Sequence, residues 1–193
     1  MDTSRTYELL VRLGDLLRAE ERRVGQELGL SSVHLHALGY LARANRYSNS
    51  AASLAEYLGV TKGTASQTVA VLVGRELVDT RRDERDGRRV HLALTAAGRA
   101  VVEAAHPPPL LARAATLLDA QAVPADLELG LEALLRAVQR AGGSRAFGVC
   151  HTCRHFRDEA GDFRCGLTDE PLSADDSVRL CREHERADSA ATG

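Results

Sequence analysis

Apolar residues recur at helical spacing through most of this chain. Between Thr6 and Glu27, Leu9, Leu13, Leu16 and Leu17 share one face with Arg, Asp and Glu opposite, which predicts an amphipathic helix. Ser31 or Ser32 can cap a second helix running to about Ala44, with Leu35, Leu38 and Leu41 turned inward. The polar stretch 45–50 reads as a loop. Leu54, Ala55 and Leu58 then place a short helix over Ala52–Leu58, and Gly59 stands where a left-handed cap would end it. Thr61 is the natural cap of the next helix, whose apolar stripe is Ala65, Val69, Leu72 and Val73, while Lys62, Thr64, Ser66, Gln67 and Thr68 lie mostly elsewhere. After Gly74 the pattern changes to two runs, Val78–Arg82 and Arg88–Leu94. The polar turn Asp83-Glu84-Arg85-Asp86-Gly87 separates them, so the pair predicts a hairpin.

Beyond Thr95 the spacing is helical again until His106-Pro107-Pro108-Pro109. Three prolines cannot continue a helix interior, so a break there is nearly forced. Helical spacing resumes over Leu110–Asp119 and Ala125–Ala141, the latter through Leu127, Leu131, Leu134, Leu135 and Val138. These stripes are expected to pack with the first helix, from the same chain or a partner copy. Gly142-Gly143-Ser144 closes the helical part.

The order helix, turn, helix, hairpin over Ala52–Thr95 is a winged helix-turn-helix, in which the second helix can enter a major groove. Small residues near that helix's start let a backbone approach, its N-terminus favours phosphate, and Gln67 can bond adenine bidentately. Lys62 is the only lysine in the chain. Arg81, Arg82, Arg85, Arg88 and Arg89 on the hairpin suit phosphates and a narrow minor groove. The whole chain carries a formal charge of -2, so the local excess of arginine, not the total, carries this reading.

The run LAEYLGVTKGTASQTVAVLVGRELV followed by RRDERDGRRVHLALTAAG resembles the MarR family of winged-helix regulators. The likeness rests on Leu54-Ala55, on the recognition-helix pattern around Thr61, Thr64 and Ser66, on Asp86-Gly87-Arg88 in the wing, and on Leu94-Thr95 through Gly98. It implies a homodimer whose two winged helices read a pseudo-palindrome in DNA, usually as a repressor. It also places Thr64, Ser66 and Gln67 over bases and sends Arg88 into the minor groove, oriented by Asp86. On the residues alone, His34 and His36 are partly exposed or hydrogen-bonded histidines; the resemblance adds an effector pocket as their other reading. The proline break departs from the long helix usual in the family.

Composition narrows the picture further. Hydrophobic residues make up 44% of the chain but aromatics only 4%, with no Trp, so the core must be built from Leu, Val and Ala, which favours helix on helix. No apolar run is long enough to span a membrane and the N-terminal stretch is charged, which points to the cytoplasm. All four cysteines, Cys150, Cys153, Cys165 and Cys181, fall in a C-terminal stretch with little apolar material. In a reducing compartment clustered thiols point to metal rather than to disulfides. Four thiolates suit a tetrahedral zinc ion, which is the first expectation. One close pair plus two distant cysteines also suits an iron-sulfur cluster, and free thiols or a thiol switch remain the third reading. Arg154, Arg157, Arg164 and Arg182 would offset thiolate charge.

The fold class expected is therefore mainly α with a small β-wing: a winged helix-turn-helix with flanking dimerisation helices and a small C-terminal metal-binding appendage. Residues 1–141 form the DNA-binding and dimerisation domain, 142–186 the four-cysteine appendage, and 187–193 a disordered tail. The function expected is sequence-specific transcription regulation by a homodimer on double-stranded DNA, through Lys62, Thr64, Ser66, Gln67, Thr68, Arg82, Arg88 and Arg89. Metal, redox state or a small-molecule effector would be the input. The alternative is a metal or iron-sulfur interaction module that uses the winged helix as a protein-binding scaffold. No hydrolase, metalloprotease or phosphate-loop motif is present, so no enzyme is expected.

Overall fold

The computed structural model describes residues 1–83, 86–119 and 126–186. Glu84 and Arg85 at the hairpin tip, Ala125 and the tail 187–193 lie outside these. Helix α1 (Thr3–Leu28) begins on the Asp2 side chain, which accepts from the Arg5 amide, and ends on Gly29 at φ 65°. Helix α2 (Ser32–Arg43) starts at Ser31, and His34 closes a capping box there. Leu35, Leu38 and Leu41 are buried, as the spacing predicts, because α2 packs against α1, α5, α3 and α4 at once.

Helix α3 (Ala51–Leu58) stops on Gly59, also at φ 65°. Helix α4 (Lys62–Gly74) starts on Thr61, whose hydroxyl accepts from the Thr64 amide at 3.1 Å. The strands β1 (Val78–Arg82) and β2 (Val90–Leu94) pair antiparallel from Val78 opposite Leu94 to Arg82 opposite Val90. The second strand starts two residues later than the pattern predicts, because Arg88 and Arg89 belong to the turn: the Arg89 amide donates to Asp86 O and the Asp83 amide to Arg89 O.

Helix α5 (Ala96–Ala105) ends before the prolines, and α6 (Pro109–Asp119) restarts on the third of them, at a first-turn position where no amide hydrogen is needed. Helix α6 lies against α1, where Arg113 stands 3.9 Å from Glu20. Helix α7 (Leu127–Ala141) buries none of its side chains. Leu9, Leu13 and Leu16 on α1 and Leu131, Leu135 and Val138 on α7 are all exposed in the single chain, so the leucine face of α1 is not part of its core. The buried residues of α1 lie nearer its end, at Glu20, Val24 and Gly25.

The C-terminal part is built from short strands. β3 (Gly148–Val149) pairs with β7 (Leu180–Cys181), and β4 (Phe156–Glu159), β5 (Asp162–Cys165) and β6 (Glu170–Leu172) form a three-stranded meander. A one-turn helix, α8 (Ala174–Ser177), joins β6 to β7. Ala160 and Gly161 both take positive φ, the conformation of the tight two-residue turn that joins β4 to β5. This cysteine module docks on the end of α2 and the loop after it. The Asn45 amide donates to Leu180 O at 2.9 Å, Arg179 Nη1 donates to Ala42 O at 3.1 Å, and Phe147 stands edge-on to Tyr40 and Tyr57. No helix among the described residues is long and apolar enough to cross a membrane.

Candidate nucleic-acid interface and cysteine pocket

Helix α4 sorts its residues by a strict face. Ala65, Val69 and Leu72 are buried, while Lys62, Thr64, Ser66 and Gln67 are exposed together at the N-terminal half. Thr68 departs from the expectation. It is 4% exposed, and its hydroxyl donates to Thr64 O at 2.9 Å, so it belongs to the packed face and is not offered to a groove. Val73, expected inward, is exposed.

In the wing, Asp86 is the organising residue. Its Oδ1 accepts from Arg88 Nε at 3.1 Å and from the Arg88 amide at 3.2 Å, and its own amide donates to Asp83 Oδ1 at 2.8 Å. The Arg88 side chain is 94% exposed beyond this anchor, so its charge is aimed outward yet held at its base. Arg89 is also exposed, with Nε 4.0 Å from Asp86 Oδ2. Arg82 and Arg89 line a cleft of about 730 Å³ between the wing and the cysteine module, together with Arg46, Arg81, Asp83 and Glu170.

His34 caps α2, with Nδ1 2.9 Å from Ser31 Oγ, and burial moves its pKa down. His36 Nε2 lies 3.0 Å from Glu21 Oε1 and lines a cavity of about 650 Å³ with Tyr57, Val102 and His106. His34 thus has the hydrogen-bonded role, and His36 sits beside a carboxylate at the wall of a cavity.

Residues 28–89 match the sequence model of the MarR family. This segment is similar to the winged helix of that family. Solved structures share the MarR-type fold at low identity. MepR of S. aureus in complex with DNA is 21% identical with a TM-score of 0.54, the match covering 70% of this chain and 96% of that one. FabT of Streptococcus pneumoniae in complex with DNA is 21% identical at a TM-score of 0.57, covering 74% and 99%. The transcriptional regulator BldR from Sulfolobus solfataricus is 22% identical at 0.54, covering 72% and 99%. No curated protein matches the sequence.

The four cysteines come from separate places: Cys150 from a 3-10 turn after β3, Cys153 from its end, Cys165 from β5 and Cys181 from β7. The fold brings all four to one pocket of about 40 Å³, walled by Tyr47, Phe156 and Leu167. Burial pushes the Cys150 thiol up to about 12, and Cys181, Cys165 and Cys153 add to the shift, so a lone thiolate is disfavoured there. Cys181 is also shifted up by burial, against the opposing pull of the Asn45 amide and the Glu183 backbone N–H. Three of the four arginines expected to balance thiolate charge face carboxylates instead: Arg154 with Glu185, Arg164 with Asp169 and Arg182 with Glu56.

The donor set fits an inorganic group, but the placement is not that of one closed ion. A single zinc needs its four sulfurs about 2.3 Å away, gathered around one point. Among the described residues, no group of three or more His, Cys, Asp or Glu side chains stands so that it could hold a metal ion.

The loop 45–50, which reads from sequence as polar and nothing more, joins the two sites. Tyr47 walls the cysteine pocket and its hydroxyl donates to Glu170 Oε2 at 2.6 Å. Ser48 Oγ accepts from the Arg182 amide at 2.8 Å. Asn49 O accepts from the Leu92 amide at 2.7 Å, and Asn49 Oδ1 lies 2.7 Å from His91 Nδ1 on β2. Every partner is distant in sequence, so no local signal could have marked these residues.

Proposed function

We propose that this protein is a homodimeric, sequence-specific transcription regulator of the repressor type that binds double-stranded DNA and acts in the cytoplasm without catalysing a reaction. The carrying observation is the exposed set Lys62, Thr64, Ser66 and Gln67 at the start of α4, beside a wing whose Arg88 is held by Asp86. A helix N-terminus rich in small polar residues accepts the backbone, Gln67 reads a base edge, and Arg88, Arg89 and Arg82 supply the phosphate and minor-groove charge. That MepR and FabT, of like fold, were solved with DNA supports the reading.

Dimerisation follows from the exposed leucines of α1 and α7. Residues 1–141 are then the reader and 142–186 a module that binds a metal-containing group, through which the regulator answers to metal or redox state. The cavity beside His36 and His106 is the place for a small-molecule effector. Selection from random duplexes should return a pseudo-palindrome whose binding weakens steeply with salt. Recovery of no preferred sequence at any salt overturns the proposal. Sedimentation should give a dimer, and Leu13→Glu or Leu135→Glu a monomer; a wild-type monomer at micromolar concentration removes the two-headed reader.

A further inference from the structure

We propose that Cys150, Cys153, Cys165 and Cys181 ligate an iron-sulfur cluster, and that its binding fixes the loop 45–50 in the position that holds the wing. The second half rests on the DNA-reading function proposed above; the first does not.

The surroundings of the thiols favour a cluster over one ion. All four thiols line one pocket with apolar walls, yet among the described residues no three of them stand so that they could hold a single ion. Donors are turned toward sulfur: the Glu185 amide donates to Cys153 Sγ at 3.4 Å, and the Glu183 N–H acts on Cys181. Asn45 is 1% exposed, and its Oδ1 already accepts from Ser48 Oγ and the Tyr47 amide. Its Nδ2 makes no hydrogen bond of ordinary geometry and is left to face Cys181. His155 lines the same pocket, and its buried Nε2, 3.5 Å from Glu185 Oε2, likewise completes no hydrogen bond. The Asn45 amide against Cys181 and the buried His155 Nε2 on the pocket wall are polar nitrogens that electron-rich sulfur would satisfy. A cluster presents both thiolate and sulfide sulfur, and such contacts tune its potential.

The module has little else to hold it. Phe156 against Phe163 and the buried Leu172 are its main apolar contacts, so a cross-link through four cysteines is its principal staple. That staple reaches the wing through a continuous set of hydrogen bonds. Arg182, next to Cys181, donates to Ser48; Asn49 follows and engages Leu92 and His91; His91 Nε2 lies 2.8 Å from Asp83 Oδ2; and Asp83 holds the amide of Asp86, which anchors Arg88.

The test uses the full chain purified without oxygen. Expected are a brown protein with a broad visible absorption, and iron and acid-labile sulfide in equal amounts at two or more per chain. A colourless protein with one zinc, or with neither metal, overturns the cluster assignment, and this measurement needs no variant. Cluster-loaded protein should bind the selected duplex about fivefold or more tightly than protein stripped by a chelator. Asn49→Ala keeps all four cysteines and the backbone bond to Leu92 but removes the contact with His91, so it should keep the spectrum and reduce that difference. Equal affinity of loaded and stripped wild-type protein, or an unchanged difference in Asn49→Ala, overturns the coupling while the cluster stands. If neither form prefers any duplex, the DNA-reading function fails and the coupling with it, and iron and sulfide still decide the cluster.

Discussion

Replacing Arg88 with Ala isolates the wing's electrostatic contribution. The side chain is 94% exposed and its described contact is with Asp86, while the backbone amide that closes the turn on Asp86 is retained in the variant. The change therefore removes one aimed charge without removing the turn, and the melting temperature should stay within about 1 °C, as for surface substitutions generally. Each phosphate contact contributes about 0.9 to the slope of log affinity against log salt. A dimer carries two copies of Arg88, so the slope should become shallower by about 1.8. Between 50 and 200 mM salt, wild-type protein should lose about tenfold more affinity than the variant. Fluorescence anisotropy on the selected duplex across that range measures both slopes. Parallel slopes with unchanged melting would refute the assignment of Arg88 to the DNA backbone and its minor groove.

Gln67→Ala should cost about 1–3 kcal/mol at one base position and little elsewhere, read by binding to single-base operator variants. Thr68→Ala should leave that preference intact and instead lower stability by about 1–2 kcal/mol, measured by urea unfolding, because it removes the bond to Thr64 O and a buried methyl. Gly98→Ala should abolish soluble expression or lower the melting temperature by more than 10 °C, since an added methyl overlaps the Leu77 carbonyl oxygen. Burial raises the Tyr40 pKa, so the stability this residue lends is full below about pH 10 and is lost as pH rises from there through its folded value. Tyr40→Phe should be less stable by about 1 kcal/mol at neutral pH, because Ser48 O loses the phenol but keeps the Ser50 amide, and its unfolding free energy should fall less steeply above pH 10.

What was legible in the sequence was local. The caps at Ser31 and Thr61, the stop at Gly59, and the break at Pro107–Pro109 each follow from one residue's conformational preference, and the ends of α2 to α5 fall within a residue or so of the pattern. Thr68 was misplaced for a reason the sequence does contain. It lies three residues after Ala65 and four before Leu72, which is the buried stripe, and its polarity disguised that position. Leu9, Leu13 and Leu16 of α1 share the expected face but stay exposed among the described residues. The strands of the cysteine module are two to four residues long and pair with distant segments, so alternation had no length in which to show. The grouping of the four thiols was visible from their number. Their dependence on Tyr47, Asn45 and Ser48 was not, because those contacts span more than 100 residues of chain.

Where the cysteine module docks limits what it can control. Its described hydrogen bonds and ion pairs to the winged helix land on residues 42–56, at Ala42, Asn45, Arg46, Tyr47, Ser48 and Glu56. The exposed residues of α4 are not among these partners. Helix α4 is seated by Ala65, Val69 and Leu72 in the core. Base readout should then be nearly the same with the cluster bound or stripped, while the wing, tied to the loop through Asn49 and His91, should change. Backbone and minor-groove contacts carry salt dependence, and base contacts carry sequence preference. Stripping the cluster should therefore flatten the salt slope toward that of Arg88→Ala and leave the selected sequence unaltered. A changed consensus with an unchanged slope would instead place the module's influence on α4, reached through Glu56 and Tyr57 on the neighbouring α3.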